Sequence, residues 1–204
     1  MSNKIPFAMK TLNISSILLL IAMLIAAGCS GGGDQANNES QSSTSSSESE
    51  TMNDGTRSVD VIGIDKLMYV VAEQKDWLDT GKEMTVKGNT YYVLKGMSAT
   101  AGQELTVNLK TISNLPPQSM SHNWLLLMMD SDAKAFNDAS IQAKDNDYIS
   151  PDMEDQVIID TGLVGDGETQ SITFNAPDEQ GAYDYICTFP GHFTAGMKGT
   201  LTVE

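Results

Sequence analysis

The chain predicts an all-β fold, a sandwich of two sheets with one short helical flap. Three observations carry that prediction. From about Ser58 onward, short apolar runs are separated by Gly, Pro, Asn and Asp, the punctuation of strands and turns. Several of those runs alternate apolar and polar residues with a period of two, which puts one face of a strand in a core. The 204 residues with an apolar content of 40% suit one packed domain plus unpacked chain, and the first 57 residues read as that unpacked part.

The elements follow in chain order. Lys4 and Lys10 precede the apolar run Ile17 to Ala27, which ends in "AAGC". The run is shorter than the about 20 residues a spanning helix needs, so residues 1–28 read as an export signal. Small residues before Cys29 match the lipoprotein type, in which that cysteine carries lipid and becomes the first mature residue; Ala26 stands where leucine is usual. Residues 29–57, "CSGGGDQANNESQSSTSSSESETMNDGTR", are rich in Gly, Ser and Glu and lack aromatic residues. Such a stretch buries too little apolar surface to offset its chain entropy and reads as a flexible tether. The expected location is therefore the outer, periplasmic or extracellular, side of a cell membrane, anchored by N-terminal lipid.

Residues 58–204 form the expected domain. Within it, 59–95 is the part whose structure the sequence leaves open: "VDVIGIDKLMYVVAEQKDWLDTG" fits two strands or a strand and a helix. "ELTVNL" alternates Leu105, Val107 and Leu109 with polar neighbours. "SHNWLLLM" reads as a strand buried on both faces, starting at His122. "DAKAFNDASIQAKDNDY" spaces Phe136, Ala139, Ser140 and Ala143 helically and supplies the flap. "SITFNAP" puts Ile172 and Phe174 on one face, "AYDYIC" aligns Tyr183, Tyr185 and Cys187, and "GTLTVE" closes with Leu201 and Val203.

Charge narrows the function. The formal net charge is −15, and removal of residues 1–28, with two lysines and no acid, leaves 10 basic against 27 acidic residues. That sign disfavours nucleic acid. It fits a soluble surface and steering toward a basic protein.

The chemistry concentrates in "CTFPGHFTAGMKGTLTV". Cys187, His192 and Met197 fall on one loop between two strands, and His122 is the other of two histidines. Singly, a buried cysteine, a core histidine and a methionine near a chain end have ordinary packing roles. Together, a thiolate, two imidazoles and a thioether are the donor set of a trigonal copper site with a weak axial sulfur. Zinc shares Cys and His but prefers four firm tetrahedral ligands and seldom takes a thioether.

The same stretch, with "SHNWLLL", resembles the cupredoxins, the type 1 blue copper proteins, in their azurin and auracyanin branches. The spacing Cys-x4-His-x4-Met is one residue longer before Met than in azurins and matches auracyanins. "NLPPQSMSHNW", "DYISPD" and "LVGDGETQSITF" follow azurin order, so the likeness covers roughly residues 96–204 and loosens across 59–95. The resemblance implies a Greek-key β-sandwich that holds one copper and passes single electrons. It implies His122, Cys187 and His192 as equatorial ligands and Met197 as the axial one. Ser121 replaces a glycine whose carbonyl is a weak further contact, so that carbonyl is a candidate donor. Asn123 and Thr188 would tie the two ligand segments together, and the N–H of Phe189 would point at the Cys187 sulfur. Docking would use an apolar rim of Pro116, Pro117, Met120, Phe193 and Ala195 around His192. The implied partners are redox proteins, a basic cytochrome or a membrane oxidoreductase complex, and the implied state is a monomer. Copper enzymes of this class need further histidine-rich centres, and no histidine is left over. A copper-holding lipoprotein without a redox role is the alternative.

Overall fold

The computed structural model describes residues 55–204; the expected signal peptide, the expected lipid attachment at Cys29 and the expected tether up to residue 54 lie outside the described residues. Ten strands are joined in one hydrogen-bonded sheet that rolls into two faces around a common core. They are β1 (Arg57–Ile64), β2 (Met68–Val71), β3 (Leu78–Val86), β4 (Asn89–Ala99), β5 (Glu104–Ile112), β6 (Leu125–Leu127), β7 (Val157–Asp160), β8 (Thr169–Asn175), β9 (Gly181–Ile186) and β10 (Lys198–Val203). Their order is β7-β6-β9-β10-β4-β2-β1-β5-β8, with β3 on β4 beside that path.

Strand β4 is the hinge of the sandwich. Its Tyr92 and Val93 pair with β2, whereas Gly96 to Ala99 run parallel to β10. One strand thus serves both sheets, and β3 covers its other edge through a two-residue turn at Lys87-Gly88. Both turn residues have positive φ, 46° and 82°, the primed geometry whose twist suits a hairpin.

Period two explains the main core. Val59 and Val61 on β1, Leu105, Val107 and Leu109 on β5, Tyr183 and Tyr185 on β9 and Leu201 and Val203 on β10 all meet Trp124 and Leu126 inside. The opposite face of β1 is also covered: Ile62 and Ile64 pack with Val70, Met84 and Tyr91 under the β3–β4 hairpin. Residues 59–95 are therefore strands β1 to β4, without a helix. Strands buried on both faces show apolar runs rather than alternation, which is why this segment resists reading.

The expected strand at 121–128 is shorter in the structure. Ser121 to Leu127 are buried, but ladder pairing is confined to Leu125–Leu127, and Met128 is 50% exposed. The flap is helix α1 (Ala133–Ser140), capped by the Asp132 carboxylate, which accepts from the N–H groups of Lys134 and Ala135. Phe136 and Ser140 of the expected apolar spacing face inward; Ala139 is exposed, and Ala133 and Asn137 complete the buried face instead.

Candidate metal centre

The end of β9 and the start of β10 are joined by residues 187–197, and hydrogen bonds inside that loop set its shape. Its two ends are tied by the Cys187 N–H, which donates to the Met197 carbonyl at 3.1 Å, while the Met197 N–H donates to the His192 carbonyl at 3.0 Å. His192 N–H donates to the Phe189 carbonyl, closing the turn through Pro190 and Gly191. Gly191 and Gly196 take φ of 87° and 100°, values that strain any residue with a Cβ. Four residues, Thr188 to Gly191, thus separate Cys187 from His192 in sequence, and backbone bonds make that spacing a fixed distance.

His122 arrives from the other side of the core. Its N–H and carbonyl exchange bonds with Val164 at 3.0 and 2.8 Å, and the Thr111 hydroxyl donates to the same Val164 carbonyl. The result is a cluster of three donor residues, His122, Cys187 and His192, with donor atoms all within 4.8 Å of one another. The Nδ1 atoms of the two histidines face each other at 3.1 Å, and the Cys187 sulfur lies 3.4 Å from His192 Nδ1. All three residues are buried.

Around the cluster, Asn123 and Thr188 hold the two segments in register. Asn123 Nδ2 donates to Thr188 Oγ1 at 2.7 Å and to the Asp147 carbonyl at 3.2 Å, and Thr188 N–H donates to Asn123 Oδ1 at 2.8 Å. Backbone N–H groups of Asn123 and Phe189 point at the Cys187 sulfur. The Phe189 ring packs on His192 with centroids 4.8 Å apart. Ser121 is buried, and its hydroxyl donates to the Pro117 carbonyl at 2.8 Å, bracing the loop that leads into His122. Two buried methionines belong to the segments that carry the cluster, Met197 and Met120. Pro116, Pro117 and Ala195 are exposed, Phe193 is half-buried and His192 is 2% exposed.

Burial acts in opposite senses on the donors, disfavouring a proton on the two imidazoles and favouring one on the sulfur. Burial pushes His122 down to about 3, helped by the neighbouring His192, and burial pushes His192 down to about 4. Both imidazoles are therefore neutral at pH 7 and keep a lone pair available. Burial pushes the Cys187 thiol up to about 12, against the N–H groups that favour its anion. Two imidazole nitrogens facing each other can share at most one proton between neutral rings, and a soft sulfur completes the triangle. That donor set fits a single copper ion.

Sequence reasoning did not identify three residues at this end of the sandwich. Gly63 on β1 lies against the His122 ring, Tyr69 on β2 donates its hydroxyl to the Asn123 carbonyl, and Asp65 accepts from the Ser113 hydroxyl and from the Asn114 backbone and side-chain N–H groups. All three fall in the segment with no readable alternation. The "GID" after an apolar run signals only a turn.

Comparison with known proteins agrees with this geometry. The family model of copper binding proteins, plastocyanin/azurin family, matches residues 79–204. An azurin of Pseudomonas aeruginosa is 41% identical over 104 residues, covering 50% of this chain and 69% of the azurin. Auracyanin-B of Chloroflexus aurantiacus is 44% identical over 85 residues, 41% of this chain and 36% of that protein. Among solved structures, auracyanin A, described as a "blue" copper protein from Chloroflexus aurantiacus, aligns with a TM-score of 0.54 at 26% identity, over 74% of this chain and all of that one. A reduced auracyanin from Roseiflexus castenholzii aligns with a TM-score of 0.53 at 25% identity, over 72% and 96%. A family match across more than half the chain and three convergent copper-type donors lead to one conclusion: the chain belongs to the plastocyanin/azurin family of copper-binding proteins, and its cofactor is copper.

Proposed function

We propose that the protein is a one-electron carrier built on a type 1 blue copper centre and tethered by lipid on Cys29 to the outer side of a cell membrane. The observation that carries the reading is the convergence of His122, Cys187 and His192 in a buried, pre-set triangle. His122, Cys187 and His192 are the equatorial ligands. Met197 would supply the axial thioether; the reading is supported by its own N–H and carbonyl being bonded to His192 and Cys187, which ties its backbone to the ligand loop. Met120 is the competing thioether, and the Ser121 carbonyl is the remaining oxygen donor.

Copper bound there supplies a one-electron couple, and the chain's part is to keep the surroundings the same in both oxidation states. The reciprocal Asn123–Thr188 bonds and the loop bonds hold the donors, and burial keeps water away. A fixed, dry shell lowers the reorganisation that electron transfer requires. The partner is a basic redox protein that docks on the rim of Pro116, Pro117, Phe193 and Ala195 beside His192, attracted by the acidic chain. Contacts of that kind bury little area and release quickly. The protein acts as a monomer and is not an enzyme.

Titration of the purified protein with Cu(II), followed by visible absorption and EPR, tests the reading. The expected result is an intense blue charge-transfer band with narrow copper hyperfine splitting at one copper per chain. A colourless complex, or tighter binding of zinc than copper, sinks it. For the tether, Cys29→Ser is expected to move the protein from the membrane to the soluble fraction; retention on the membrane overturns lipid anchoring.

A further inference from the structure

The residues matched by the family model begin at residue 79, yet the wall of the metal centre is built before it. Along β1 the inward positions are Val59, Val61 and Gly63. At Gly63 the next inward side chain is replaced by the His122 ring. A Cβ there would stand 2.4 Å from His122 Cδ2, 2.5 Å from Cγ and 2.9 Å from its Cβ. These are rigid ring and stem atoms, so they cannot swing aside as the end of a long side chain would. His122 cannot retreat either, since its backbone is bonded both ways to Val164. Nor can β1, which is paired through eight residues with β5 and covered on its outer face by Met84 and Tyr91.

Directly across the hairpin from Gly63 is Tyr69. Its ring is fully buried in the main core, and its hydroxyl donates to the carbonyl of Asn123, the residue after His122. A phenylalanine would fill the same space. An interior hydroxyl costs desolvation unless it is bonded, so the bond accounts for the tyrosine. The same Asn123 sends its N–H to the Cys187 sulfur and its side chain to Thr188. At the hairpin's turn, Asp65 collects three donors from Ser113 and Asn114, at the start of the loop that runs to His122.

We propose that the β1–β2 hairpin is a positioning element of the metal centre, with Gly63 as the seat of the His122 imidazole and Tyr69 as the clamp on the backbone that carries it. The inference rests on the copper reading above, but its packing claim is testable without metal. Neither residue is a ligand: Gly63 acts through His122, and Tyr69 acts through Asn123 and through the hydrogen bond between its hydroxyl and the Cys187 sulfur. Outer groups of this kind typically alter metal affinity by about 10–100-fold when removed.

The test compares the wild-type protein with Gly63→Ala, Tyr69→Phe and the control Ser58→Ala, on the solvent face of the same strand. In the metal-free proteins, NMR of the imidazole nitrogens reports His122 and His192 separately. In the copper-loaded proteins, EPR hyperfine splitting and Cu(II) affinity are read. Gly63→Ala is expected to shift the His122 resonances more than those of His192 and to change the hyperfine splitting. Tyr69→Phe is expected to keep the fold and weaken Cu(II) binding about tenfold, and Ser58→Ala to change nothing. Wild-type resonances, splitting and affinity in both hairpin variants overturn the proposal. Should Gly63→Ala fail to fold, Tyr69→Phe decides alone, since it adds no atom. Should the wild-type protein lack the blue band, the copper reading falls, while the metal-free His122 shifts still decide the packing claim.

Discussion

The ligand loop, residues 187–197, and the β1–β4 region, residues 57–99, meet at the same metal centre by different means. The loop works through residue identity: Cys187 and His192 donate, Gly191 and Gly196 permit the backbone, and its turns are closed by backbone-to-backbone hydrogen bonds within residues 187–197, with Asn123 the outside tie. The β1–β4 region works through surfaces. Its residues matter for what they press against on two faces at once, the main core on one side and the β3–β4 cover on the other. Chemistry is concentrated in a few atoms of the loop, whereas the geometry that holds His122 is spread through the strands. Substitutions in the loop should therefore change the metal, and substitutions in the strands should change stability first.

The largest expected effect is on the loop side. Cys187→Ser is expected to abolish the blue band entirely in copper titrations while the metal-free protein keeps its β circular dichroism. Retained colour would place the thiolate elsewhere. On the strand side, Ile64→Ala empties a 1%-exposed position under the hairpin and is expected to cost about 2–4 kcal/mol in denaturant unfolding, with the blue spectrum preserved once copper is bound. A loss below about 1 kcal/mol would mean that the β3–β4 cover collapses onto the gap. Asn123→Ala falls between the two regions, because it removes the reciprocal bonds to Thr188; a loss of about 1–3 kcal/mol together with a changed spectrum is expected.

A smaller effect is expected from pH on the metal-free protein. His122 and His192 titrate near 3 and 4 in the fold but near 6.5 once it is lost, so the unfolded chain takes up their protons first as pH falls. Their contribution is complete above about 6.5 and declines toward pH 3. Cys187 has the opposite sign: its thiol is pushed from 9.0 to about 12, so its contribution is complete below 9 and lost as pH rises toward 12. Melting temperatures across pH 4–11 should therefore form a plateau between about 6.5 and 9. A flat profile below that plateau would show that the imidazoles are open to water. The smallest expected effect separates the methionines. Met197→Leu should keep the colour and raise the reduction potential, because a weak donor to Cu(II) is lost, and Met120→Leu should leave the potential unchanged. The reverse pattern would make Met120 the axial ligand.

The same contrast explains what was legible in the sequence. The donors could be read because soft and imidazole ligands at tight spacing have few other reasons to occur together, and because "SHNW" supplied the missing imidazole. The strands from Leu105 and from Tyr183 could be read because one face of each is wet. β1 could not, since Val61, Ile62 and Ile64 are all buried and the pattern of two disappears. Gly63 and Tyr69 escaped notice for a related reason: a missing Cβ and one hydroxyl acquire meaning only when His122 and Asn123, some 55 residues later, fold onto them.

Enclosure of Cys187 also affects the protein before any metal arrives. A thiol with no exposed surface, held protonated at neutral pH, is a poor nucleophile and a slow target for peroxides and disulfides. The folded chain can thus wait for its ion with the sulfur protected from oxidants. The same enclosure links loading to acidity: the proton on that sulfur must leave as the metal enters, so each filled site releases one proton to the medium and uptake slows as the surroundings become more acidic.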